Sequence, residues 1–156
     1  MTVLPRLKQF LEDNKVAFEV HLHPETFTAQ EIAAALHVPG KELAKVVIVK
    51  VAKGLLMAVL PASYKIDWEK LKDMANEPEA RLATEAEFKD LFPDCEVGAM
   101  PPFGNLYNLT LYADQSLTDN KWILFQAGNH IDIVKMKYDD FIRLAQPKME
   151  DFGVHL

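Results

Sequence analysis

Leu43-Ala44-Lys45-Val46-Val47-Ile48-Val49-Lys50-Val51, followed after Ala52-Lys53-Gly54 by Leu55-Leu56-Met57-Ala58-Val59-Leu60, is the stretch from which the fold is read. Both runs are apolar at odd and even positions, so each strand they form must be covered on two faces and lie centrally in a sheet. The three residues between them carry a glycine where a tight turn needs one, and the spacing predicts a β-hairpin. Upstream, Leu4, Leu7, Phe10 and Leu11 recur at helical intervals between charges, which predicts an amphipathic helix over 4–14. A strand over 17–22 follows, broken by His23-Pro24. Thr28-x-x-Glu31 is a capping box for a second helix through Ile32, Ala33 and Leu36, which Pro39-Gly40 ends.

Downstream of the hairpin, Asp67 is placed to cap a helix carrying Trp68, Leu71 and Met74, and Thr84-x-x-Glu87 is a further capping box ahead of Phe88, Leu91 and Phe92. Val97 to Gly104 is too rich in glycine and proline for helix or regular strand and reads as a shaped loop. Residues 109–113, 122–127 and 131–136 then read as strands and 138–145 as a last helix with Phe141 and Leu144 inward; the tail beyond Pro147 is weakly patterned and expected to be loose. Helices interleaved with strands, at least two of which form a hairpin, predict a mixed α/β fold: a single domain over 1–156 with a central mixed sheet flanked by helices.

At 156 residues and 49% hydrophobic, the chain can bury a core without disulfide or metal. Cys95 is its only cysteine, which rules out an intrachain disulfide and a cysteine-based metal cluster. The first residues have no basic-then-apolar signal pattern, and no apolar run approaches the roughly 20 residues that span a bilayer, so a soluble, cytoplasmic protein with no membrane partner is expected. A net charge of −6 argues against coating DNA by bulk electrostatics. The charge is unevenly spread. Residues 37–72 hold seven lysines against three acids, a balance of +4, whereas 73–156 hold seven Lys/Arg against fifteen Asp/Glu, a balance of −8. A local positive face toward a phosphate-bearing ligand fits this, and so does a merely solvated lysine-rich surface.

Walker-type loops, Gly-x-Gly-x-x-Gly and Gly-x-Ser-x-Gly are absent, and the five histidines include no His-x-x-x-His pair. His21 with His23 would lack a third ligand, so no metal and no cofactor is expected. Cys95 reads as a packed thiol. Three features remain. Lys45 opens a strand; the ordinary role of such a lysine is to cap a strand end with its amine in water, the alternative being a functional cation. The loop Gly98-Ala99-Met100-Pro101-Pro102-Phe103-Gly104 could wrap a pocket with backbone amides. Gly128-Asn129-His130 links two strands, with a glycine that permits close backbone approach and an asparagine that tolerates a left-handed turn, or is a plain hairpin turn. Together they would offer a cation, amide donors and an imidazole, with no obvious nucleophile, so such a site would position a substrate and a water.

Thr26-Phe27-Thr28-Ala29-Gln30-Glu31-Ile32-Ala33, Leu43 to Val49, Gly98 to Gly104 and Phe125-Gln126-Ala127-Gly128-Asn129-His130 occur in an order and spacing that resembles the YbaK / prolyl-tRNA synthetase-associated domain family, free-standing relatives of the editing insertion of bacterial prolyl-tRNA synthetase. The resemblance covers nearly the whole chain. It implies a YbaK-like mixed α/β domain that hydrolyses the ester between a wrong amino acid and the 3′-terminal adenosine of tRNA. It also implies that Lys45 binds the terminal phosphate or adenosine, that Gly98 and Pro102, with Ala99, Met100 and Pro101 between them, position the aminoacyl group and a water, and that Gly128, Asn129 and His130 line the pocket. The substrate's own ribose hydroxyl would help to activate the water. Mischarged tRNA, held at its acceptor end, is then the expected partner, with an aminoacyl-tRNA synthetase as a second one. Two departures bear on the amino acid. Relatives specific for cysteinyl-tRNA carry a Gly-Lys-Arg-Gly-like sequence where this chain has Asn129-His130-Ile131, and the aromatic and threonine that often flank the lysine are here Ala44 and Val46. Alanine on proline tRNA is the first expectation, with serine, threonine and 2-aminobutyrate open. A non-catalytic tRNA- or synthetase-binding module and a small-molecule esterase are the alternatives.

Overall fold

A computed structural model describes residues 3–22, 34 and 39–156. The His23-Pro24 break, the Thr28 capping box with its helix, and the Thr26 to Ala33 motif lie outside the described residues, apart from Ala34, which is helical. Helix α1 (Pro5–Asp13) starts with proline in its first turn, where the missing N–H costs no bond, and buries Leu7 and Leu11 completely. It leads into β1 (Phe18–Leu22).

The hairpin forms as predicted: β2 (Ala44–Val51) and β3 (Gly54–Pro61) pair antiparallel from Ala44↔Pro61 to Val51↔Gly54. Its two faces feed two cores. Ile48, Met57 and Val59 join a large cluster centred on Phe103, whose ring meets Phe10, Phe125 and Phe141 edge-on with centroids 5.6 Å away in each case. Val49, Leu56, Ala58 and Leu60 join a second cluster with Leu71 and Phe152. Burial on both faces is why neither strand alternates apolar with polar.

β4 (Tyr64–Ile66) leads to α2 (Trp68–Ala75), which Asp67 caps by accepting from the backbone N–H groups of Glu69 and Lys70 at 3.1 and 3.2 Å. β5 (Arg81–Leu82) precedes α3 (Glu85–Phe88), and Glu87 accepts the Thr84 N–H at 2.8 Å, as the capping-box spacing requires. β6 (Thr110–Asp114), β7 (Trp122–Gln126), β8 (Asp132–Lys137) and α4 (Tyr138–Ala145) complete the expected set. Phe141 is buried, and Leu144 is packed at the margin of the large cluster.

The architecture is mixed α/β. A five-stranded mixed sheet in the order β5-β2-β3-β6 ends in β9 (Lys148–Glu150), and β3, β6 and β9 run parallel. Beyond the expectation of one sheet, β1, β8 and β7 form a separate three-stranded antiparallel sheet, joined to the first by a Leu43↔Leu124 bridge and by Leu124 N–H donating to the Glu42 carbonyl at 2.9 Å. The tail corrects the expectation of looseness. β9 pairs with β6, and β10 (Gly153–His155) pairs with β4. The buried Asp114 carboxylate anchors the segment between them, taking the N–H groups of Phe152 and Gly153 at 2.9 and 2.7 Å on one oxygen and Ser116 on the other. Phe152 is fully buried.

Candidate functional site

Four hydrogen bonds clasp the segment 96–99 to the segment 128–130. Glu96 N–H donates to the Gly128 carbonyl at 2.8 Å, and Gly128 N–H donates to the Ala99 carbonyl at 2.9 Å. His130 N–H donates to the Glu96 carboxylate at 3.2 Å, and the His130 Nε2 lies 2.8 Å from the Val97 carbonyl oxygen. A carbonyl can only accept, so Nε2 carries the proton, and in the neutral ring Nδ1 is left as an acceptor. That acceptor faces the Gln126 side-chain amide at 3.3 Å. Both ring nitrogens are thus engaged.

The Gly/Pro loop splits into two parts. Gly98 is exposed and left-handed at φ +84°, a conformation that strains any other residue. From Ala99 onward the chain dives inward: Ala99, Met100, Pro101 and Pro102 are buried, and Phe103 is the hub of the large core. Ala99 N–H turns back to the Glu96 carbonyl and Phe103 N–H to the Pro101 carbonyl, while the N–H groups of Gly98 and Met100 meet no acceptor among the described residues.

Gly128 has φ +98°, and the close approach it permits is to Leu4, whose Cβ would stand 2.8 Å from a Cβ at position 128. The left-handed residue of this turn is Gly128; Asn129, which tolerates that conformation, does not adopt it. Asn129 is buried, and its carbonyl oxygen accepts from Ile131 and Asp132 N–H, both at 2.8 Å, while its amide donates to Asp132 at 2.8 Å. It organises the turn.

Lys45 comes to the same place along the sheet. Residues two apart on a strand share a face, so Lys45 lies on the face of Leu43, and Gln126 on that of Leu124, the two residues of the inter-sheet bridge. The start of β2 and β7 thus lie side by side at that bridge. Gln126 pairs with Ile133, and Ile133 with His21, so one row crosses β1, β8 and β7 as His21, Ile133 and Gln126. The lysine is half-buried, burial lowers its pKa, and among the described residues it has no carboxylate within ion-pair distance. A partly desolvated cation with no carboxylate partner among the described residues can take an anion.

The structure thus brings Gly98, Ala99, Gly128 and His130 into direct contact, sets Lys45 two residues beyond the bridge from Leu43 to β7 and sends Met100, Pro101 and Pro102 into the interior. Gln126 and Glu96 are the members that sequence reasoning left without a role, although Gln126 is the one polar residue in Trp122–Ala127 and was detectable on that ground. Cys95 is half-buried with Sγ 3.2 Å from the Tyr107 hydroxyl, and burial pushes its thiol pKa up, which disfavours the nucleophilic thiolate.

Comparison with known proteins places this geometry. The profile of the aminoacyl-tRNA editing domain family matches residues 23–144. The chain is 35% identical over 98 residues to the multifunctional Ser/Thr-tRNA deacylase ProXp-y of Escherichia coli K12, a match covering 62% of this chain and 58% of that protein. It is 24% identical over 106 residues to a proline–tRNA ligase of Bacillus cereus, covering 68% of this chain and 19% of the ligase. The chain therefore spans less than two thirds of the length of these relatives. A solved structure of a proposed trans-editing enzyme for prolyl tRNA synthetase superposes with a TM-score of 0.82 at 22% identity, covering 96% of this chain and 95% of the other.

Proposed function

Because the chain belongs to the aminoacyl-tRNA editing domain family, we propose that it acts in trans as an aminoacyl-tRNA deacylase, with residues 1–156 working as one editing domain on mischarged tRNA presented through its acceptor end. The observation that supports this reading is the half-buried Lys45, without a carboxylate partner among the described residues, at the start of the strand that bridges to β7, which leads into the Gly98–His130 clasp. Lys45 takes the phosphate of the terminal nucleotide. The Gly98 and Met100 amides, with Pro102 fixing the loop behind them, hold the aminoacyl carbonyl. Water adds to that carbonyl, the bond from carbonyl carbon to ribose oxygen breaks, and a proton passes to the ribose oxygen, giving free amino acid and intact tRNA. With both His130 nitrogens engaged, the imidazole is not the base, which supports activation of the water by the neighbouring ribose hydroxyl.

The substrate amino acid is small. Alanine on proline tRNA is the first candidate, from the Asn129-His130 departure, and serine and threonine are its competitors because the Escherichia coli relative is named for them. An aminoacyl-tRNA synthetase is the source of the mischarged tRNA. The test is release of amino acid from proline tRNA charged with alanine and from a panel carrying serine, threonine, cysteine and proline. One or two small residues should be released, and Lys45→Ala should slow release roughly 10- to 100-fold, the range expected for losing one charge-assisted contact of about 1.5–3 kcal/mol. Binding of tRNA with no release from any member of the panel would leave a recruiting module instead.

A further inference from the structure

We propose that Gln126 is a positioning residue which, through His130 and the Val97 carbonyl, aims the Gly98 N–H at the substrate ester; the inference rests on the deacylase reading. The Gln126 amide lies 3.3 Å from His130 Nδ1, and His130 Nε2 lies 2.8 Å from the Val97 oxygen. A peptide unit is planar and trans, so the carbonyl of Val97 and the N–H of Gly98 point in opposite directions. Tying the carbonyl to His130 therefore fixes the direction of the N–H, which has no acceptor among the described residues. Gly98 at φ +84° is the flexible joint that this tie restrains.

The relay depends on which proton His130 carries. If Nδ1 held the hydrogen in a neutral ring, Nε2 would present a lone pair to the Val97 oxygen and the tie would be lost. Gln126 opposes that by donating to Nδ1 from a strand in which its neighbours Phe125 and Ala127 are buried, so its backbone is fixed. A neutral amide serves here, whereas a carboxylate, which only accepts, would draw a proton onto Nδ1.

The test compares Gln126→Met, which keeps length without the amide, with Gln126→Glu. Ring ¹⁵N shifts of His130 and the Gly98 amide resonance are recorded on the free protein, and kcat and KM on proline tRNA charged with alanine and with serine. In folded Gln126→Met the Gly98 resonance should shift and kcat fall roughly 10- to 100-fold, up to what loss of one oxyanion donor brings, with KM within about 2-fold. In Gln126→Glu the Nδ1 signal should move to the protonated position. Unmoved resonances in both folded variants would overturn the proposal, as would a raised KM at constant kcat, which would make Gln126 a direct substrate contact. If the resonances move as expected but wild type releases nothing from either tRNA, the relay to Gly98 stands, while its aim at an ester falls with the deacylase reading.

Discussion

Lys45 is kept at a position where the fold does not favour its charge. Burial lowers its pKa below the ordinary 10.5, so at pH values below the lowered pKa the charged side chain opposes folding, and this opposition is relieved as pH rises through that value toward 10.5. A residue held for binding rather than stability behaves this way. Lys45→Met should therefore leave the thermal midpoint at neutral pH unchanged or raised while slowing release roughly 10- to 100-fold, as expected for Lys45→Ala; a marked drop in the midpoint would make the lysine structural. The positive end of Lys45 and the glycine at 98 were legible in the sequence because each is a chemical exception in its surroundings. Asn129 was less so, because a buried Asx turn and a ligand contact ask for the same residue; its hydrogen bonds with the Ile131 and Asp132 N–H groups and the Asp132 carboxylate show the turn. Gln126 was visible as a polar residue among apolar ones, but its role depends on a histidine four positions away whose ring is turned by the Val97 carbonyl.

At the scale of elements, legibility follows how local the determinant is. The hairpin, the Asp67 cap and the Thr84 capping box are written within a few residues and were read correctly. Glu87 shows how tightly such a local device is held: hydrogen bonds from Arg81 at 2.8 and 2.9 Å, then the Thr84 N–H, lower its pKa to about 2 from 4.5. Its contribution is present above about pH 4.5 and lost as pH falls toward 2, so Glu87→Gln should lower stability at neutral pH, flatten the acid limb of a stability–pH curve in that window and change stability least near pH 2. The last two strands were missed because three residues carry little pattern and their partners are remote in sequence: Asp114 for the turn, Tyr112–Asp114 for β9 and Tyr64–Ile66 for β10. Asp114→Ala would strand the N–H groups of Phe152, Gly153 and Ser116, at a cost of about 2–5 kcal/mol. Chemical denaturation should register that loss, with amide exchange rising first in 148–155; protection retained there would mean that Phe152 alone seats the tail.

At the scale of the whole molecule, the mixed α/β class was legible from the interleaving of helices and strands, whereas no sequence period announces the division into a five-, a three- and a two-stranded sheet, the first two joined at the Leu43–Leu124 bridge. That division matters, since the proposed site lies where the start of β2 meets β7. Charge is arranged on the same scale. The net −6 repels a polyanion at a distance, yet of the seven lysines in 37–72 only Lys70 and Lys72 have a carboxylate partner among the described residues, Asp151 and Glu69. Binding that uses the unpaired set is local and replaces counterions at a few phosphates, each contributing about 0.7–0.9 to the slope of log affinity against log salt. An acceptor end held by two to four such lysines gives a slope between about −1.5 and −3.5, well short of what a protein coating nucleic acid shows. Titrating tRNA binding between 50 and 200 mM salt, with Lys45→Ala alongside, measures it: the variant should lower the slope by about 1 if Lys45 takes a phosphate. A slope near zero in the wild type would mean that the aminoacyl ester is recognised without the nucleic acid, and the pocket would then belong to a small-molecule esterase.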